Sequence, residues 1–452
     1  MKESGKIVKQ LIWIYFWLLL FEGAFRKWFL PGLSTPLLLV RDPVVLAIYV
    51  AALAGGNFPS TLFIPCIGGL AIACSIASLS GLGTMQVTIF GLHANFLHLP
   101  LIFVIPKYFD LTDVRRMGKW VLIVLVPMAA LATLQFRAGP DARINVGAGG
   151  EIGGQLFAAA DKVRASGTFS FVTGLVSFLS LASVFIFHDF LEKRVYPRIL
   201  VLAGLPALIL ALGVSGSRSA VLSASVVFAA GTLVCLRRWE KFGRAFLQIA
   251  AIFVVYLLLG QSATFREGIE VQRSRFESAG GVKVGIVDRY FEDFTIAANA
   301  LEGTPFWGYG LGLGTNAGAS LTGGIRGFLL AEGEWPRVIL ESGPILGGLY
   351  LILRIAILIY GFRKGWSALG LGQTLPVLML GMCGLEMING QFGQPASLGF
   401  AVLGMGLTLA AANSPDAEEQ QDEPLAEMTR SALRGRSKYA ESLHGGLPTT
   451  SS

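Results

Sequence analysis

The sequence predicts an all-α protein that crosses a lipid bilayer about twelve times. Of its 452 residues, 53% are hydrophobic and only 14% charged, against roughly 25% charged in a soluble domain. Mean hydropathy is +0.63. Apolar runs of roughly 20 residues recur from end to end, each long enough for about 30 Å of hydrocarbon. Backbone groups in such runs must bond one another, which leaves helices or a closed barrel. A barrel would need short segments of alternating polarity, and the runs do not alternate.

Taken in order, the apolar runs place spans at about 9–21, 37–55, 60–79, 87–105, 120–136, 168–187, 199–213, 219–236, 245–261, 337–360, 374–390 and 395–412. The first follows Lys2, Lys6 and Lys9. It resembles a signal peptide but has no small-residue cleavage site, so it reads as a retained helix. Arg41 and Asp42 fall inside the second span, which sets them near an interface or against other helices, because charge facing lipid is costly. Cys66, Cys74, Cys235 and Cys383 all lie in apolar spans and read as small core residues rather than as disulfides or metal ligands.

Basic loops set the expected orientation. With the N-terminus in the cytoplasm, four loops fall on that side: Lys107 to Lys119, Lys193 to Arg198, Arg237 to Arg244, and Arg363 with Lys364. This satisfies the positive-inside rule. It also accounts for the net charge of +7 without nucleic acid. An even number of spans returns the C-terminus inside, so residues 1–412 read as one polytopic membrane domain. The tail, 413–452, is polar, mixed in charge and poor in aromatics, and reads as disordered. Two long loops, about 137–167 and 262–336, then lie outside the cytoplasm; loops of such length are usually functional or disordered.

The larger loop carries Phe291, Phe294, Phe306, Trp307 and Tyr309 and is expected to pack on itself or on the membrane. Residues 288–300 put Phe291, Phe294 and Ala298 on one helical face, as in an amphipathic helix lying on the bilayer, with Asp288 as its cap. The run from Gly308 to Thr315 alternates glycine at Gly308, Gly310, Gly312 and Gly314. Such a run suits a tight turn and close backbone approach. It lacks the Gly-Lys-Ser/Thr of a phosphate-binding P-loop. Glu332 and Glu334 close the loop. Glu341 lies just inside the next span, where an ionisable group is a functional candidate; an ion pair with Arg337, one turn earlier, is the structural alternative.

Three arginines join these carboxylates on the outer side. Arg218 sits in the short Val214–Ser219 turn, Arg164 just before the sixth span, and Arg289 at the start of the amphipathic helix. Guanidinium groups suit phosphate oxygens, and a carboxylate can take the proton of an attacking hydroxyl. The histidines do not form a metal site by spacing. His93 and His98 are five apart, off one α-helical face; His188 falls on the cytoplasmic side and His444 in the tail. No cofactor is expected.

Arg218 after its Ser-x-Ser run, Arg289 before an aromatic helix, Gly308 to Thr315, and Glu341-Ser342-Gly343-Pro344 together resemble the O-antigen ligase/polymerase superfamily, over about residues 160–360. The segment Glu22-Gly23-Ala24-Phe25-Arg26-Lys27-Trp28 resembles a subset of its uncharacterised polymerase-like members. The resemblance implies a GT-C-like, metal-independent glycosyltransferase in a bacterial inner membrane, acting on undecaprenyl-diphosphate-linked glycans at the outer face. Arg218 and Arg289, with Arg164, would hold the diphosphate, and Gly310, Gly312, Gly314 and Glu341 would support the site. Ligases carry a His-Asn pair nine residues before the Glu-x-Gly segment; here that place holds Glu332 and Gly333. The departure favours a polymerase of repeat units, with Glu332 or Glu334 as base and inversion at the anomeric carbon. A chain-length regulator and a flippase are the partners this implies. Ligase-type transfer to lipid A core or protein, and a transporter, are the alternative readings.

Overall fold

The computed structural model describes residues 2–153, 162–192, 194–278, 289–315, 318 and 333–413. Within these the regular elements are helices, and the part up to Ala412 forms one compact unit. The expected tail, 413–452, lies outside the described residues apart from Asn413.

The helices follow the apolar runs. They are α1 (Lys2–Ala24), α2 (Asp42–Ala54), α3 (Phe63–Ser78), α4 (Met85–Leu92), α5 (Leu101–Tyr108), α6 (Leu111–Arg137), α7 (Val172–Leu191), α8 (Arg198–Val214), α9 (Arg218–Arg237), α10 (Phe242–Leu259), α11 (Ala263–Glu277), α12 (Arg289–Gly303), α13 (Glu334–Gly370), α14 (Leu375–Asn389) and α15 (Pro395–Asn413). Among the described residues eight helical segments are long and apolar enough to cross a membrane, and nine if α4 and α5, bent by 42°, count as one. The helices α3, α8 and α14 are apolar but shorter. The chain is therefore a helical membrane protein.

Side-chain contacts sort the helix ends into two groups. At one end Lys9 of α1 pairs with Asp113 of α6, Lys241 before α10 with Glu192 after α7, and Arg238 after α9 donates to the Leu369 carbonyl of α13. Lys9, Arg238 and Lys241 lie at this end. At the other end Gln135 of α6 donates to Gly167 O, Thr173 of α7 to Gln394 before α15, and Trp335 of α13 to Ile388 O of α14. The candidate site residues belong to this second end.

The centre and the rim of the bundle differ in burial. The apolar window of α7 is 89% buried and that of α10 only 6%. Helix α10 turns Phe246, Leu247, Phe253 and Leu258 outward, an apolar face that lipid rather than protein must cover. Cys66 is exposed on α3, whereas Cys74, Cys235 and Cys383 are buried, so the core reading holds for three of the four cysteines.

Two segments leave α-helical geometry. Phe25–Phe29 and His93–Leu97 are π-helical turns, which insert a residue into the helix and tend to occur at functional sites. A third break is the kink of α13 at Gly343, with φ +79°. Pro344 follows and has no N–H for the Leu340 carbonyl. The glycine-rich run fills that vacancy: Tyr309 N donates to Leu340 O at 2.8 Å and Gly310 N to Glu341 O at 3.0 Å. Gly312, at φ +86°, lies where a Cβ would collide with the Val87 carbonyl of α4. Gly312→Ala is expected to lower stability by about 1–3 kcal/mol from backbone strain alone, read as a lower unfolding temperature of the purified protein.

Among the described residues the long loop carries α11 and α12. In α12 the expected helix is present; Phe294 and Ala297 turn inward and Ala298 is exposed, while the Phe291 side chain lies outside what the structure describes. The helix is fixed to protein: Phe294 packs edge-on against Trp335 and Asn389 donates to Asp293 at 2.6 Å. The expected cap Asp288 lies outside the described residues. The smaller loop folds back on the helix ends through Asn145, which donates to the carbonyls of Gln135 and Gly139.

Candidate functional site

Arg337 organises the first buried cluster. It lies one turn after Glu334 on α13, a spacing that stacks the two side chains on one face. Its Nε and Nη2 hold both Glu334 oxygens at 2.9 Å, Nη1 holds Glu341 at 2.8 Å, and Nη2 also reaches Asn95 Oδ1 at 2.8 Å. Arg354 adds a bond to Glu334 Oε1 at 2.6 Å and caps the α14 end through Glu386 O, Met387 O and Gly390 O. All four charged residues are buried. The second Glu341 oxygen accepts from Gly314 N at 2.9 Å. Glu341 thus ties the glycine run to α13, and the ion pair with Arg337 is formed.

A second cluster was not foreseen. The π-turn His93–Leu97 bonds at i to i+5, so His93 and His98 meet on Asp42, contrary to the expectation from α-helical spacing. His93 Nδ1 lies 2.7 Å from Asp42 Oδ2 and His98 Nε2 3.0 Å from Asp42 Oδ1. Tyr15 closes the group, bridging His98 and the Arg41 guanidinium. The three ligand atoms lie within 4.8 Å of one another, a spacing open to a divalent cation. The Arg41 charge beside them opposes a second cation, so a hydrogen-bonded cluster centred on Asp42 fits better. Asn95, two residues from His93, joins this cluster to the first.

Arg41 continues into a third group. It donates to Glu22 Oε2 at 3.1 Å and to Pro395 O at 2.5 Å. Arg26 lies one turn beyond Glu22 and donates to Ser34 O and Ser170 Oγ. Lys27 is buried and donates to Ser166 Oγ and Gly167 O. Gly23 sits flush against the backbone at 168–170, where a Cβ would not fit. The segment from Glu22 to Trp28 is therefore the clasp that holds residues 166–171 in place.

The expected site residues distribute over this end. Arg218 opens α9 and donates to the Arg275 carbonyl of α11 at 3.4 Å. Its turn is held by Gln272, which donates to Ser215 Oγ and Ser217 O at 3.2 Å. Two residues on, Ala220 packs on Val172 and Val176 in the first turns of α7. Arg164 stands six residues before Ser170 on the chain that Lys27 clasps. Arg289 opens α12, one turn before Asp293. Glu334 and Glu341 belong to the Arg337 cluster, and Gly310, Gly312 and Gly314 dock on α13 and α4. Glu332 lies outside the described residues, directly before Gly333. Glu334 departs from its expected role: it is fully buried and both oxygens are held by guanidinium groups, so it is a counter-ion and not an accessible base. The signal for the missed clusters was Arg41 and Asp42 inside the second span and Glu22, Arg26 and Lys27 directly after the first; their partners come from distant helices.

No family model matches the chain, and no curated protein matches it.

Proposed function

We propose that this protein is a polysaccharide polymerase, transferring a growing glycan from undecaprenyl diphosphate to a hydroxyl of an incoming lipid-linked repeat unit. One observation carries the reading: the elements bearing Arg218, Arg289 and Arg164 meet at one end of the bundle, around the loop 390–395. The start of α7 joins Arg218's helix to Gln394, and Asn389 joins Arg289's helix to the same loop. Arginines borne on adjoining elements at a helix-bundle end suit a diphosphate leaving group at a membrane surface. Attack from the opposite face inverts the anomeric carbon.

The basic residues at the far end support a cytoplasmic placement of that end and of both termini, with the site on the outer face of a bacterial inner membrane. The short helices α3, α8 and α14 run between the same two ends, which supports twelve crossings. The substrates need no metal in this scheme. A flippase would deliver the repeat unit, and a chain-length regulator would act at the same face.

A deletion strain tests the reading. Single repeat units on lipid are the expected product. Long polymer on lipid without attachment to its final acceptor would indicate a ligase instead. Normal surface glycan, with lost uptake of a labelled solute into vesicles, would indicate a transporter.

A further inference from the structure

The cleft between the end of α1, the segment 169–173 and the start of α15 has no role yet. It opens to solvent, spans about 350 Å³ with the open space at its mouth included, and has Glu22, Arg26, Ser170, Thr173 and Gln394 as its polar lining.

The lining selects among guests by charge and hydrogen bonding. One carboxylate, one guanidinium, one amide and two hydroxyls carry no net charge. A phosphate would meet the Glu22 carboxylate. A lipid tail would leave Glu22 Oε1 dry and without a hydrogen bond, at a cost. A sugar fits, because each of its hydroxyls both donates and accepts. Phe171, 39% exposed at the rim, offers an apolar surface to the C–H face of a pyranose ring.

Glu22 differs from the other site carboxylates in one respect. Glu334 and Glu341 have both oxygens hydrogen-bonded. Glu22 has only Oε2 so held, by Arg41. Its Oε1 stands 3.7 Å from Arg26 Nη1, beyond hydrogen-bond reach, in a residue that lines the cleft. Arg41, itself bonded to Tyr15 and Pro395, holds the carboxylate in place.

We propose that this cleft is the acceptor-sugar subsite and that Glu22 is the base of the transfer. The inference rests on the polymerase reading and deepens it. Glu22 Oε1 takes the proton of the acceptor hydroxyl. The hydroxyl oxygen forms the new bond to the anomeric carbon of the donor. The anomeric C–O bond breaks, and its electron pair leaves with the diphosphate. The donor diphosphate belongs to the arginine-bearing elements, which adjoin the cleft through the first turn of α7 and the loop 390–395. The segment from Glu22 to Trp28 then has a chemical as well as a clasping role.

The test uses the full-length protein and the lipid-linked single repeat unit that the deletion strain accumulates. Glu22→Gln keeps an oxygen for Arg41 and removes the base; polymer formation should fall about 10²–10⁴-fold, the usual contribution of a general base. The same variant should still bind the oligosaccharide released from that lipid by mild acid. A second arm places a thiol in the cleft with Ser170→Cys: at ten times its Kd the released oligosaccharide should slow maleimide labelling about tenfold. Polymer from Glu22→Gln at the wild-type rate overturns the base assignment and leaves the polymerase reading intact, the more so if Glu332→Gln is inactive. Unslowed labelling overturns the subsite, and this arm decides should Glu22→Gln fail to accumulate. A deletion strain that still makes long polymer defeats the polymerase reading itself.

Discussion

Replacing Arg337 by methionine is expected to destabilise the protein by about 3–5 kcal/mol, the usual result of removing one partner of a buried ion pair. The side chain makes four hydrogen bonds to Glu334, Glu341 and Asn95. Its loss leaves Glu341 with no cation in the cluster and Glu334 with Arg354 alone. Arg337→Lys should rescue little, because one ammonium cannot span three acceptors that a planar five-donor group reaches together. Adding Glu334→Gln and Glu341→Gln to Arg337→Met should recover part of the loss by removing the stranded charges. Thermal unfolding of the purified protein measures each step. An Arg337→Met protein that unfolds at the wild-type temperature would show that the cluster is not what holds α13 to the His93–Leu97 turn.

Arg289→Ala should reduce polymer formation by about 10²–10³-fold, the effect of losing one preorganised group that stabilises developing charge. Protein levels should remain normal, for a structural reason. Helix α12 is held by Asp293, Phe294 and Ala297, through Asn389, Trp335 and burial against α13. Glycan length on a gel, beside an immunoblot, separates the two effects. Unchanged long polymer at normal protein levels would remove Arg289 from the diphosphate site.

Much of the architecture was legible in the apolar runs, because the cost of bare backbone in hydrocarbon leaves little choice but helix. The Arg337–Glu341 pair was legible too, since both residues lie on one helix one turn apart. Spacing along one helix failed at His93 and His98. The rule assumes 3.6 residues per turn, and a π-turn at His93–Leu97 breaks that assumption. Glu334 looked accessible as a loop residue; in the fold it begins α13, and Arg354, twenty residues away on the same helix, turns back onto it.

The glycine run shows how the two kinds of information divide. Its sequence announced a chain able to adopt positive φ and to lie close to another backbone. Only the fold revealed which backbone: the kink at Gly343, where Pro344 leaves the Leu340 carbonyl without its helical donor. The sequence by itself determined that this is a helical membrane protein with ionisable groups set inside its spans, because hydrophobicity and charge are properties of single residues. The tertiary structure decided which of those groups face one another, joining Glu22 to Arg41, Asp42 to two histidines and Arg337 to two glutamates. A buried charge must be neutralised by whatever partner packing brings within about 4 Å, and that partner is chosen by helix register and helix breaks, which no local pattern encodes.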